Sequence, residues 1–238
     1  MKYVYVAIAA LIMSFAGVGA VSADDITADV LTYNGETKVA TAKGNVVIHA
    51  NEGAVITGTD GTYHFEDRSA NLNGNVHYEK GNSTLDADKL HLAGDKTLTG
   101  TGNVVIVDGD NQRTIKGDKA IYNSDTGYSR VEGNAYVSTP DGSLTAPLID
   151  GNLKEIRLVA TGGVQFESET QHLTGSGDQA VYTKSPNADD GKIVLTGNAE
   201  ANQNGNAFYG PELIFTMDNS SVKTNGRSTL VITNTSGT

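Results

Sequence analysis

Apolar side chains recur at every second position in short runs throughout the chain after its first two dozen residues. Val46/Ile48, Val76/Tyr78, Val104/Ile106 and Val164/Phe166 each fall on one face of an extended segment. Leu90/Leu92, Ala120/Tyr122, Ala180/Tyr182 and Leu213/Phe215 do the same in a second set of runs. A period of two marks a half-buried strand. No window carries an apolar stripe at helical spacing long enough to compete, so the pattern predicts an all-β chain. The start differs. Lys2 precedes an almost unbroken apolar run from Val4 to Val21, then the small residues Ser22 and Ala23, then Asp24-Asp25. That is the layout of an export signal over residues 1–23, which leaves residues 24–238 as one repeat domain. Left uncut, the same run sits at the lower length limit for a membrane anchor.

The strands repeat. Gly-Asn-Val or a near variant followed by alternating apolar residues appears at Gly44, Gly74, Gly102, Gly133, Gly162 and Gly197, with gaps of 30, 28, 31, 29 and 35 residues. The longest gap holds an enlarged turn, Lys184 to Gly191. Some 14 or 15 residues upstream of most copies lies a second element, such as Ala87-Asp88-Lys89-Leu90-His91-Leu92 or Gly117-Asp118-Lys119-Ala120-Ile121-Tyr122. Clusters such as Asn34-Gly35, Asn123 to Gly127 and Asp150-Gly151-Asn152 supply turns between them. Each strand-turn-strand unit is too small to bury a face alone, so about seven units must stack into one elongated domain.

These residues carry a resemblance. Gly-Asn-Val/Ala paired with Gly-Asp-Lys-x-x-Tyr, plainest from Gly102 to Tyr122 and again around Leu195 to Ala199, resembles the OstA-like family. That family includes the periplasmic lipopolysaccharide-transport protein LptA and the matching domain of the outer-membrane protein LptD. The resemblance implies an open β-jelly roll of two facing antiparallel sheets around an apolar groove for the acyl chains of lipid A. It implies periplasmic residence, no catalysis and no cofactor. It also implies partners resembling LptC at the inner membrane and LptD at the outer, joined through edge strands, with head-to-tail association of like chains as a further form. An uncut N-terminal run would make the chain an LptC-like anchored relay instead. The groove would be lined by Val46, Ile48, Val76, Tyr78, Leu90, Val104, Ile106, Ala120, Ala135, Val137, Val164, Phe166 and Ala180. From the residues alone, a closed core in which these side chains meet one another stands level with a groove. A parallel β-solenoid at the cell surface, binding glycans or other cells, is the alternative outside the family.

Composition narrows the chemistry. Seventeen Lys and Arg stand against 28 Asp and Glu, for a net charge of −11, which is the wrong sign for neutralising nucleic-acid phosphates. With no Cys there is no disulfide, thiolate nucleophile or zinc-thiolate site. The five histidines, His49, His64, His77, His91 and His172, fall in different repeats with no metal-ligand spacing. Asp108-Gly109-Asp110-Asn111 lacks the terminal Glu of a calcium loop, and Gly175-Ser176-Gly177 runs into a strand rather than a helix. Asp29, Asp60, Asp88, Asp118 and Asp178 recur too regularly to be a catalytic set, and with Asn45, Asn75, Asn103, Asn134 and Asn198 they read as turn residues. The edges open to a partner would be Ile26 to Tyr33 and Leu213 to Ile232. About fourteen strands, seven to each sheet, would make a stack roughly 34 Å long at ~4.8 Å per strand.

Overall fold

The computed structural model describes residues 23–233, apart from 51–52, 111, 124, 141, 153, 170, 186–190 and 217–220. The expected export signal lies outside the described residues except for Ala23, as does most of the enlarged turn at 184–191. Sixteen strands follow in order among the described residues: β1 (Ala23–Thr27), β2 (Val30–Asn34), β3 (Val39–Ala50), β4 (Ala54–His64), β5 (Ser69–Lys80), β6 (Ser83–Leu92), β7 (Thr97–Asp108) and β8 (Arg113–Asn123). The second half continues with β9 (Tyr128–Thr139), β10 (Gly142–Asn152), β11 (Arg157–Ser168), β12 (Leu173–Thr183), β13 (Lys192–Gln203), β14 (Asn206–Thr216), β15 (Ser221–Asn225) and β16 (Thr229–Val231). All belong to one sheet in which β3 to β14 are neighbours in chain order, with β1 and β2 both on β3 and β15 and β16 both on β14. Every pairing is antiparallel, so a parallel solenoid is excluded.

The two facing layers are two halves of this one sheet. Each ladder between the long strands breaks register at its middle. In β7 and β8, Thr97 to Thr101 pair with Asn123 to Lys119, Gly102 and Asn103 are skipped, and Val104 to Asp108 pair with Gly117 to Arg113. The skipped residues are the recurring Gly-Asn pairs, and they are bulges inside long strands rather than turns. Both residues take positive φ, 78° and 48° at Gly102 and Asn103, a conformation that Gly and Asn adopt at least cost. A side chain at Gly102 would also place its Cβ 2.1 Å from a carboxylate oxygen of Asp88. That Asp receives the Asn: the side-chain amide of Asn45 donates to Asp29 at 3.0 Å, Asn103 to Asp88 at 3.3 Å and Asn198 to Asp178 at 3.2 Å. The recurrent Asp and Asn, read separately as turn residues, are thus one clasp between adjacent strands at the bulge.

In register, the bulges form a crease across all the strands. Call the half nearest the turns at 35–38 and 65–68 the upper layer, and the half nearest the turns at 81–82 and 204–205 the lower. The layers face each other, as the rings of Phe166 in the lower layer and Phe215 in the upper lie 5.7 Å apart, edge to face. Val131, above the crease, occupies the space a Cβ on Gly117 below it would need. Inward-facing residues from Ala42 to Phe215 form one continuous apolar cluster. At both ends the last rung is split at the crease, into β2 above and β1 below, and into β15 above and β16 below. Because each strand serves both layers, fourteen rungs stack in one file rather than seven in each of two sheets. At ~4.8 Å per rung the stack is roughly 62 Å long, and not the 34 Å expected from separate sheets.

Candidate functional site

An apolar cavity of about 420 Å³ opens between the layers at the end where the chain begins. Ile26, Val46, Ile48 and Ile56 line it from the lower layer, and Leu31, Leu72, Leu90, Leu92 and Leu98 from the upper. It exists for two local reasons. Four inward positions of the upper layer there are small, Ala40, Ala42, Gly61 and Ala70, and the larger side chains around them do not close the gap. The first rung is also only two five-residue strands, with Leu31 53% exposed at its edge. Three rings stand at the rim: Phe65 lies edge-on to Tyr33 at 5.5 Å and to Tyr63 at 4.8 Å. The polar side chains in the lining are Thr41, Thr62, Tyr63 and Asn71, with no carboxylate, amine or imidazole among them. Such a lining can exclude water and hold hydrocarbon.

All thirteen residues expected to line a groove face inward, and they separate into two groups. Val46, Ile48 and Leu90 line the cavity. Val76, Tyr78, Val104, Ile106, Ala135, Val137, Val164, Phe166 and Ala180 are buried in the continuous core, and Ala120 packs against it half-buried. Ile26, Leu31, Ile56, Leu72, Leu92, Leu98 and the rim ring Phe65 were missed. Four of these belong to the upper layer, which the Gly-Asn-Val signature does not mark, although Leu90/Leu92 shows the same alternation two residues at a time.

The histidines lie apart. His49 Nδ1 is 2.6 Å from Asp25, His77 Nδ1 is 2.7 Å from Asp86, and His91 Nδ1 is 2.8 Å from the Asn71 side-chain oxygen. Among the described residues no three His, Cys, Asp or Glu side chains gather to hold a metal ion.

A search of curated proteins gives no match. A crystal structure of LptH, described as the LptA homologous periplasmic component of the conserved lipopolysaccharide transport device from Pseudomonas aeruginosa, is similar at a TM-score of 0.45. The identity is 17%, over 52% of this chain and 96% of that one. The sequence profile described as the LptA/(LptD N-terminal domain) LPS transport protein matches twice in overlapping windows, residues 55–157 and 95–221, as an internally repeated chain allows. Together the two windows span well over half of the sequence, and the chain belongs to this family of lipopolysaccharide transport proteins.

Proposed function

We propose that the protein is a periplasmic carrier for lipopolysaccharide that shields acyl chains of lipid A between its layers and links to neighbouring transport components end to end. The observation that carries this reading is the apolar cavity open at the first rung. A cavity of about 150 Å³ takes one benzene, so on that scale this one accommodates roughly seventeen carbons, or one acyl chain. Each buried methylene contributes about 0.8 kcal/mol, ample for binding without any bond being made or broken. Beyond the cavity the inward side chains from Leu85 to Phe215 are buried against one another, so further chains would require the layers to part.

The ends support the linkage. The first rung, residues 23–34, carries Asp24, Asp25 and Asp29 and no basic residue, whereas residues 221–233 carry Lys223 and Arg227 and no acidic one. Exposed Val30, Leu31 and Tyr33 stand at one end and Leu230, Val231 and Ile232 at the other. Both ends are split at the crease, so upper would meet upper and lower would meet lower in a head-to-tail contact. Edge strands with complementary charge are suited to adding a strand from a partner, whether an LptC-like or LptD-like jelly roll or a second copy.

Native mass spectrometry of the protein purified from a lipopolysaccharide-producing host tests the lipid. Lipid A species should co-purify and be lost in Leu31→Asp, whose side chain lines the cavity but is exposed enough to spare the fold. Protein that is lipid-free and takes up no added lipopolysaccharide would overturn the reading. Sedimentation over a range of concentrations and salt, alone and with partner jelly-roll domains, tests the linkage. A species that stays monomeric throughout would remove it.

A further inference from the structure

The solvent face of the lower layer changes character along the stack. On the early rungs its outward rows mix charged pairs with branched residues, such as His49 with Asp25 and His77 with Asp86 beside Val47, Val105 and Val107. From β11 to β14 the same rows contain no ion pair and no Val, Ile or Leu. Gln165, Ser176, Glu200 and Tyr209 are successive cross-strand neighbours in one row. Glu167, Thr174 and Asn202 are neighbours in the other. Between the rows lies a trough of about 460 Å³. Its floor is main chain at Gly175, where an added Cβ would stand 2.3 Å from the ring of Phe166, which fills the interior directly beneath. Running across β10 to β14, it spans four strand spacings, roughly 19 Å.

The chemistry of the walls selects the occupant. Nine of the side chains in the lining carry hydroxyl, amide or carboxylate groups, and Phe166, Ala201 and Ala207 between them are too few to hold an acyl chain in so open a trough. With Glu167 and Glu200 in the lining and no Lys or Arg, the trough repels phosphates and carboxylates. Glu200 accepts a hydrogen bond from the Ser176 hydroxyl at 3.0 Å. No trio of ligating side chains assembles there for a metal ion among the described residues. An added peptide strand would find no free ladder edge, because β10 to β14 are paired on both sides. What remains is an uncharged ligand dense in hydroxyl groups, each able to donate and accept against Ser, Thr, Asn, Gln and Glu. Tyr209, 44% exposed at one end of the trough, offers a ring face on which the apolar side of a pyranose can stack. We infer that this trough is a binding site for a neutral saccharide chain, lying along the stack on the face opposite the apolar interior. It is a different surface from the acyl cavity and stands or falls separately from it.

Two sources share that chemistry, the saccharide portion of lipopolysaccharide and an unattached glycan, and isothermal titration of the whole exported protein separates them. The probes are a neutral outer polysaccharide released from lipopolysaccharide, maltoheptaose and cellohexaose. Saturable binding to the first alone assigns the site to the sugar end of lipopolysaccharide. Binding to the glucans as well assigns a general glycan surface. In either case Tyr209→Ala should weaken binding about tenfold, about 1.4 kcal/mol, while Leu31→Asp should leave it unchanged. Circular dichroism shows that each variant is folded. Absence of saturable binding to all three at millimolar concentration, or an affinity unmoved by Tyr209→Ala, overturns the inference.

Discussion

The first rungs and the middle rungs of this sheet are built from the same repeat, yet one encloses a cavity and the other a solid core. In the middle, Tyr122, Val131, Leu158 and Tyr182 of the upper layer meet Ile106, Ile115, Val137 and Phe166 of the lower, and all are buried. At the first rungs the upper-layer positions in the same register include the small residues Ala40, Ala42, Gly61 and Ala70 between Tyr63 and Leu72. The end rung there is too short to close the gap. Backbone geometry is constant, and side-chain volume decides whether facing layers leave room.

The widest separation between the regions should come from placing a charge in each. Leu195 is wholly buried in the core, and Leu195→Asp puts an unpaired carboxylate there; we expect a loss of more than about 4 kcal/mol, enough to unfold the domain. Leu31→Asp, at the open end, should cost within about 1 kcal/mol. Urea titration followed by circular dichroism measures both, and equal losses would mean that the two regions are packed alike.

Adding volume sharpens the same contrast. Ala135 has no exposed surface and sits in the closed region, so Ala135→Phe should destabilise by about 3 kcal/mol through overpacking. Ala40→Phe grows into the cavity and should be near neutral for stability while reducing lipid uptake. The thermal midpoint and lipid content of each variant give the answer. A large loss of stability for Ala40→Phe would show that the cavity closes in solution.

The crease provides a third comparison. Gly102→Ala meets both a positive φ and the Asp88 carboxylate, and should cost about 2 kcal/mol of global stability. Gly44→Ala meets the same pair of obstacles against Asp29, but only the end rung hangs on that clasp. Its effect should appear as faster hydrogen exchange confined to residues 25–34, with the urea midpoint little changed. Loss of protection across the whole sheet in Gly44→Ala would mean that the first rung is not a separable unit.

The strands, their repeat and the inward face were legible in the sequence because a period of two survives everywhere. The crease was not, for a reason visible in the numbering. In the odd-numbered strands from β3 to β13 the bulge inserts an even step, so Ala42 and Val46 stay in phase and nothing marks the bend. In the even-numbered strands the phase does change, from Leu85 and Ala87 to Leu90 and Leu92, and from Ile115 and Gly117 to Ala120 and Tyr122. That switch was the available signal for two layers sharing each strand. The cavity was less legible still. It depends on which small residues of one layer face which large ones of the other, and that pairing follows only from the fold about the crease.

The smallest difference between the regions should be one of pH. Hairpin turns of the upper layer are closed by a side-chain oxygen accepting main-chain N–H bonds. Over the filled core that oxygen belongs to Asn123 and Asn152, which do not titrate. Beside the cavity Asn34 plays the same part in the turn at 35–38, but at the next two upper turns the oxygen belongs to Asp67, bonded by Ser69 N–H at 2.9 Å, and to Asp95, bonded by Thr97 N–H at 3.0 Å. The Ser69 main-chain N–H chiefly, with its hydroxyl, holds the Asp67 carboxyl below the ordinary 3.8 of an aspartate. The Thr97 hydroxyl and then its N–H do the same for Asp95, with small contributions from His64 and His91 respectively. A carboxylate depressed in the folded state stabilises that state above its unfolded pKa, and the contribution disappears as pH falls through the folded value. Acidification from pH 5 towards 3, a range that brackets the 3.8 of a free aspartate, should therefore loosen the turns at 65–68 and 93–96 before those at 125–127 and 154–156. Both carboxylates are exposed, so the effect will be slight and best read as amide exchange. Asp67→Asn and Asp95→Asn, which keep a neutral acceptor of the kind used at Asn123, should abolish the acid sensitivity of their own turns. If exchange at 93–97 still quickens in Asp95→Asn, the acid response of the cavity end arises from groups other than its turn carboxylates.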